Sequence, residues 1–127
     1  MSCPRCGSDV VAFAVPESLR EHAPAAEAAI CTACLATCPA EAAGTTASSS
    51  PAFDAVDPAF PDGEAGVALA LACGLLESFA LNRRSIEALV THAERAGADA
   101  FLFFDRLDAA AAAFDLDRRR AAIEDVL

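Results

Sequence analysis

The chain has 127 residues, a net charge of −10 and a pI of about 4.4, and it lacks lysine altogether: all nine basic residues are arginine. That length holds one compact domain, or a small metal-stapled module beside a helical one, and at ordinary ionic strength the charge argues against nonspecific phosphate binding. Alanine supplies much of the 55% hydrophobic content, and tryptophan and tyrosine are absent, so eight phenylalanines and twelve leucines must do the packing.

An acidic, lysine-free, alanine-rich chain has the composition of a protein adapted to high salt. In molar salt the Debye length is about 3 Å, and there the acidic balance neither excludes nucleic acid nor identifies a basic partner.

At the N-terminus, Cys3-Pro4-Arg5-Cys6-Gly7 is a metal knuckle. Two intervening residues let both sulfurs face one ion across a tight turn, Pro4 stiffens that turn, and Gly7 supplies a residue free to take positive φ. Asp9 to Val15 follows as an outgoing strand and Ala28 to Ile30 as its return. The second knuckle, Cys31-Thr32-Ala33-Cys34-Leu35, keeps the thiol spacing but lacks the trailing glycine. The 24 residues between Cys6 and Cys31 suffice for two strands and a turn that bring the knuckles together. The expected result is a zinc ribbon, with Cys3, Cys6, Cys31 and Cys34 as tetrahedral ligands of Zn²⁺.

Other chemistries stay open at this point. A tetrahedral S₄ site also suits iron. Cys3 and Cys6 could form a redox dithiol, although such a motif normally opens a helix after a buried strand. Disulfides fit least, because the N-terminus carries neither an apolar signal core nor a cleavage site, and a soluble cytoplasmic protein is expected. Cys38, four positions beyond Cys34, competes with it as ligand but reads first as a half-buried thiol. Cys73 lies in the apolar run Val67 to Leu76 and belongs to the core.

Residues 41–61 are rich in Ala, Ser, Thr and Pro and read as a flexible linker whose Phe53 and Phe60 pin its second half to a neighbour. This divides the chain into a ribbon at 1–40, the linker at 41–61 and a helical domain at 62–127. Asp62 caps a first helix running to about Asn82, with Leu69, Leu76 and Phe79 along one side. Its uncharged stretch, Ala65 to Leu76, is too short for a membrane span. Ser85 caps a second helix through Ile86, Leu89, Val90 and Ala93, ended by Gly97. Asp99 caps a third through Phe101, Phe104, Leu107, Ala111 and Phe114. A fourth, from Asp115 or Asp117, carries Ile123, Val126 and Leu127.

No catalytic set emerges. His22 reads as exposed, His92 sits beside Glu94, and neither belongs to an H-E-x-x-H pair. Arg118-Arg119-Arg120 is flanked by acids and reads as a solvated, internally paired helix face; Arg83-Arg84 fits a helix-dipole role.

The order C-P-x-C-G, a strand ending Phe13 to Pro16, a second C-x-x-C-L and an alanine/leucine helical tail resembles the small CPxCG-type zinc-ribbon proteins of halophilic archaea, a domain of unknown function. The stretch Leu75 to Asp108 resembles the helical part of that group. The resemblance implies zinc on Cys3, Cys6, Cys31 and Cys34 and brings no catalytic residues.

The expectation is therefore an α+β, non-enzymatic protein: a structural zinc ribbon followed by about four helices that dock another protein. A nucleic-acid-associated ribbon factor is the alternative, although Arg5 and Arg20 face Asp9, Glu17, Glu21 and Glu27 and form no basic stripe. A thiol-disulfide oxidoreductase using Cys3/Cys6 is the second alternative.

Overall fold

A computed structural model describes residues 2–108 and 114–126. Ala111 and Leu127, assigned above to helix cores, lie outside the described residues. The architecture is α+β, an N-terminal three-stranded antiparallel sheet followed by four helices, in agreement with the sequence.

Strands β1 (Val10–Ala14), β2 (Glu27–Cys31) and β3 (Thr37–Pro39) lie in that order in the sheet. The register pairs Val11 with Ile30 and Phe13 with Ala28 on one face, and Val10 with Cys31 and Ala12 with Ala29 on the other. Period-two alternation sends the first set into the main core and the second into a smaller cluster with Cys3, Cys34, Ala40 and Ala43. Burial on both faces explains why DVVAFAV is nearly continuously apolar. The sequence reading missed β3, a three-residue strand with a proline at its end and too short to show a period.

The helices are α1 (Gly63–Leu75), α2 (Phe79–Arg95), α3 (Ala100–Arg106) and α4 (Leu116–Val126). Every residue of α1 from Ala65 to Cys73 is buried, so this helix is enclosed rather than one-sided. It ends at Leu75, seven residues before the expected boundary, and Ser85 lies inside α2 instead of capping it. The expected break survives as a kink at Asn82 (φ −116°, ψ 15°), whose side-chain amide donates to the Ser78 carbonyl. Arg83 and Arg84 therefore sit within α2, not at a helix end. Gly97 (φ +100°) terminates α2, Asp99 caps α3 through the Leu102 N–H, and the Asp115 carboxylate accepts from the Arg118 N–H.

In α3 the buried stripe is Ala100, Phe103, Phe104 and Leu107, while Phe101 is 52% exposed. The sequence reading chose the wrong phenylalanine of an F-L-F-F run because Phe101 and Phe104 keep the i, i+3 spacing as well as Ala100 and Phe103 do. The helix also ends early, with Leu107 extended at ψ 131°. Arg120 donates from Nε to the Phe104 carbonyl and from a terminal nitrogen to Leu107, both at 2.7 Å. Arg119 donates to the carbonyls of Leu76 and Glu77 at the α1–α2 junction. The triple-arginine run thus caps the ends of other helices, with only the Arg120–Asp117 pair lying within its own helix as expected.

The stretch 41–61, expected to be flexible, packs against both halves. It contains short 3-10 turns at Ala40–Ala43 and Phe53–Ala55 and buries Phe53 and Phe60. Phenylalanine rings run from the sheet to α3: Phe13 to Phe53 at 5.4 Å, Phe53 to Phe60 at 5.7 Å, Phe60 to Phe103 at 4.7 Å and Phe103 to Phe104 at 4.9 Å. Asp57, 7% exposed, accepts from the Ala59 N–H and from the Asp108 N–H, tying this stretch to the end of α3.

Close approach of α1 to its neighbours requires two glycines. A Cβ on Gly66 would meet the Pro61 carbonyl at 2.3 Å and the Phe53 ring at 2.7 Å. A Cβ on Gly74 would meet Thr37 of β3 at 1.9 Å. Gly74→Ala is expected to destabilise the fold by about 1–3 kcal/mol, because a β-branched Thr37 cannot swing clear. Urea denaturation checks this, and unchanged stability would mean that α1 does not lie against β3 as described.

Candidate metal centre

The first knuckle precedes β1 and the second leaves β2, so pairing of the two strands brings both turns to one end of the sheet. In the first, the Cys3 N–H donates to the Ser8 carbonyl, the Gly7 N–H to the Cys3 carbonyl, and the Arg5 N–H to the Cys3 sulfur at 3.4 Å. In the second, the N–H groups of Ala33 and Cys34 point at the Cys31 sulfur, at 3.3 and 3.4 Å. Backbone dipoles aimed at sulfur favour thiolate.

Gly7 has φ +79°, as its position after C-x-x-C requires. In the second turn the corresponding residue is Leu35, with φ +66° and 1% exposure. A left-handed leucine costs about 1–2 kcal/mol, and burying its side chain in the main core returns about 1.5–3 kcal/mol. Sequence inspection registered a missing glycine; the structure puts an anchoring side chain there.

The sulfurs of Cys3, Cys6, Cys31 and Cys34 all lie within 4.8 Å of one another. Contacts run across the knuckles, Cys3 to Cys34 at 3.8 Å and Cys6 to Cys31 at 3.4 Å. A tetrahedral ion with metal–sulfur bonds of about 2.3 Å would set its ligand sulfurs about 3.8 Å apart. All six cysteines are free thiols. Among the described residues this is the one cluster of metal-ligating side chains. Cys38, on β3, stays outside it, and Cys73 is buried on α1.

The thiols are electrostatically unlike. Hydrogen bonds from the backbone and side chain of Ser8 draw the exposed Cys6 down to about 6. Burial pushes Cys34 up to about 12 and raises Cys31. Burial raises Cys38 as well, with charge on Cys3 and Cys31 adding to it. The Arg5 guanidinium forms a two-pronged ion pair with Glu77, at 2.5 and 3.0 Å, which holds the Glu77 carboxyl below its usual range. This pair links the first knuckle to the α1–α2 junction, 72 residues away.

The remaining sequence candidates do not join the cluster. His22 is not exposed as expected; its side chain is 13% accessible and lies 3.6 Å from Glu21. His92 lies 3.3 Å from Glu64.

A three-stranded sheet whose two C-x-x-C turns converge four thiols, followed by four helices, defines an α+β protein with a candidate four-cysteine metal centre. The chain belongs to the family of unknown function DUF6276, whose model matches residues 2–127. No curated protein matches the chain, and no solved structure does.

Leu35→Ala and Leu35→Gly test the second turn. Both lose the buried side chain, but the glycine variant is expected to be the more stable of the two by about 1 kcal/mol, reversing the ordinary order. Thermal denaturation of the pair reads this directly, and an alanine variant as stable as the glycine variant would contradict the left-handed backbone.

Proposed function

We propose that Cys3, Cys6, Cys31 and Cys34 bind one Zn²⁺ in a structural role, in a non-enzymatic protein whose helices dock another protein. The carrying observation is the sulfur geometry, four thiols within 4.8 Å with cross-knuckle contacts near a tetrahedral edge. When bound, the ion cross-links the two turns. In zinc-finger peptides such sites supply about 10–16 kcal/mol at neutral pH. An all-thiolate set suits zinc or iron, and colourless protein with one zinc per chain by native mass spectrometry and elemental analysis separates them. The absence of lysine and the charge of −10 support a high-salt host.

The nucleic-acid alternative is weakened by how the arginines are used. Arg5 is paired with Glu77, Arg20 donates to the Val15 carbonyl, and Arg119 and Arg120 cap helix ends, which leaves no assembled phosphate-binding stripe among them. The thiol-disulfide alternative has one observation in its favour, an exposed and acidified Cys6. Against it, the sulfur contacts run between knuckles rather than within the Cys3/Cys6 pair, and that pair lies on a turn before a strand. Among the described residues, no helix is long and apolar enough to cross a membrane.

Two outcomes test the metal reading. Cys6→Ser, or chelation of the wild type, is expected to lower the unfolding temperature by more than about 10 °C, since several kcal/mol of metal binding are lost. Sheet and helix signals should fall together, because Val11, Phe13, Ile30 and Leu35 share the core of α1. An unchanged melting curve in both experiments would sink a structural metal.

Affinity should also depend on pH. Cys31 and Cys34 have raised pKa values, so at pH 7 both hold protons that an incoming ion must expel. Binding therefore strengthens as pH rises and weakens as it falls, by about ten-fold per pH unit for each proton released, or about 100-fold for two. Competition with a chromophoric chelator at pH 6.5 and 7.5 measures the slope, and a flat profile is incompatible with four thiolate ligands.

A further inference from the structure

The four clustered thiols differ in what can reach them. Cys3, Cys31 and Cys34 are buried, whereas Cys6 is exposed, as are Pro4, Arg5 and Gly7 around it. A small reactive solute in water therefore meets Cys6 first. A second sulfur is already beside it: Cys31 lies 3.4 Å away across the knuckles, a shorter contact than the 3.8 Å between Cys3 and Cys34. A disulfide sets its sulfurs about 2.05 Å apart, so the pair has roughly 1.4 Å left to close. The two turns are unequally free to make that movement. Beside Cys6, Gly7 has open space where a side chain would stand, while the second knuckle is fixed by Leu35 in the main core. The exposed side of the pair can shift toward a buried side that holds still.

The oxidation of cysteine supplies the chemistry. The Cys6 thiolate sulfur attacks one oxygen of a peroxide; an S–O bond forms, the O–O bond breaks, and the departing hydroxide takes a proton to become water. The Cys31 sulfur then attacks the sulfur of that sulfenic acid; an S–S bond forms, the S–O bond breaks, and a second hydroxide leaves, protonated, as water. Across both steps two thiolates, one hydrogen peroxide and two protons become one disulfide and two waters, and the peroxide gains the two electrons that the sulfurs lose. The neighbouring thiol matters because a sulfenic acid left unresolved goes on to sulfinic acid, which is not reversed by thiols. Cys38 is the rival for that second step. It pairs with Ala29 in the sheet and packs against the same small cluster, but it stands outside the set of sulfurs that lie within 4.8 Å of one another.

We propose that Cys6 is a site of peroxide oxidation and that Cys31 captures it as a Cys6–Cys31 disulfide. For its consequence the inference rests on the zinc reading: withdrawing two of the four sulfurs releases the ion, and the disulfide takes over as the link between the two turns. Reduction restores both thiols and with them the metal site.

The test treats the full-length protein with hydrogen peroxide, zinc-loaded and after chelation, and blocks the remaining thiols before digestion. Trypsin cuts after Arg5, Arg20 and Arg83, which puts Cys3, Cys6 and the group Cys31, Cys34, Cys38 and Cys73 in three separate peptides. The expected product joins residues 6–20 to residues 21–83 through Cys31, with one zinc passed to a chromophoric chelator per disulfide formed and taken back after dithiothreitol. Dimedone added with the peroxide should tag Cys6 and suppress the link, because it consumes the sulfenic acid. Cys38→Ser is expected to give the same disulfide at an unchanged rate. A link from Cys6 to Cys3 or Cys34, loss of the link in Cys38→Ser, or zinc-loaded protein whose thiols stay reduced or pass directly to sulfinic acid would overturn the proposal. A chain that binds no zinc yet forms the Cys6–Cys31 disulfide would overturn the zinc reading and leave the assignment of this pair standing.

Discussion

A helix buried on every side cannot stand without neighbours on every side, and the enclosure of Ala65 to Cys73 orders the rest of this molecule. Such a segment exposes no polar face to water, so each side needs its own apolar partner. The sheet supplies one through β3 and the residues facing the main core, α2 supplies a second, and the 53–60 stretch supplies a third with Phe53 over Gly66. Alanine and glycine along α1 keep these approaches close, which is how a chain without tryptophan or tyrosine fills its interior.

That enclosure also determines what each face of the sheet does. One face is consumed in covering α1. The other holds Val10, Ala12, Ala29 and Cys31 with Cys3 and Cys34, a cluster built largely of alanine, valine and thiols. An apolar cluster of that size contributes little stability by itself, and a cross-link between the knuckles would add most there. Hydrogen bonds from Ser8 favour thiolate at Cys6, while burial opposes it at Cys31 and Cys34. Four mutually close thiolates repel, and a divalent cation removes that opposition.

The first two strands, the four clustered cysteines and the caps at Asp99 and Gly97 were legible because each rests on a local rule: alternation, thiol spacing, a side-chain acceptor before a helix, positive φ after one. What escaped depends on residues far apart in the chain. The end of α1 at Leu75 is stabilised by Arg119, and the end of α3 by Arg120, through carbonyl contacts that no window around those helices contains. Residues 41–61 have the composition of a linker, yet two phenylalanines and Asp57 bind them down, and a few long-range contacts outweigh a polar average.

The Arg5–Glu77 ion pair and the burial of Leu35 both join the knuckles to the helical half, and they respond oppositely to the medium. Arg5 and Glu77 are 49% and 42% exposed, so their ion pair is open to water and weakens as ionic strength rises. Leu35, immediately after Cys34, is buried in the main core, and apolar burial is not screened by salt; strongly hydrated salts reinforce it. In concentrated salt the ion pair contributes little and the leucine contributes fully. Placing a leucine rather than a glycine at that left-handed position accepts backbone strain on one side of Cys34 in exchange for an anchor that salt does not loosen. The second knuckle thereby ties the candidate metal centre mechanically to α1, while the first is free to respond to its electrostatic surroundings.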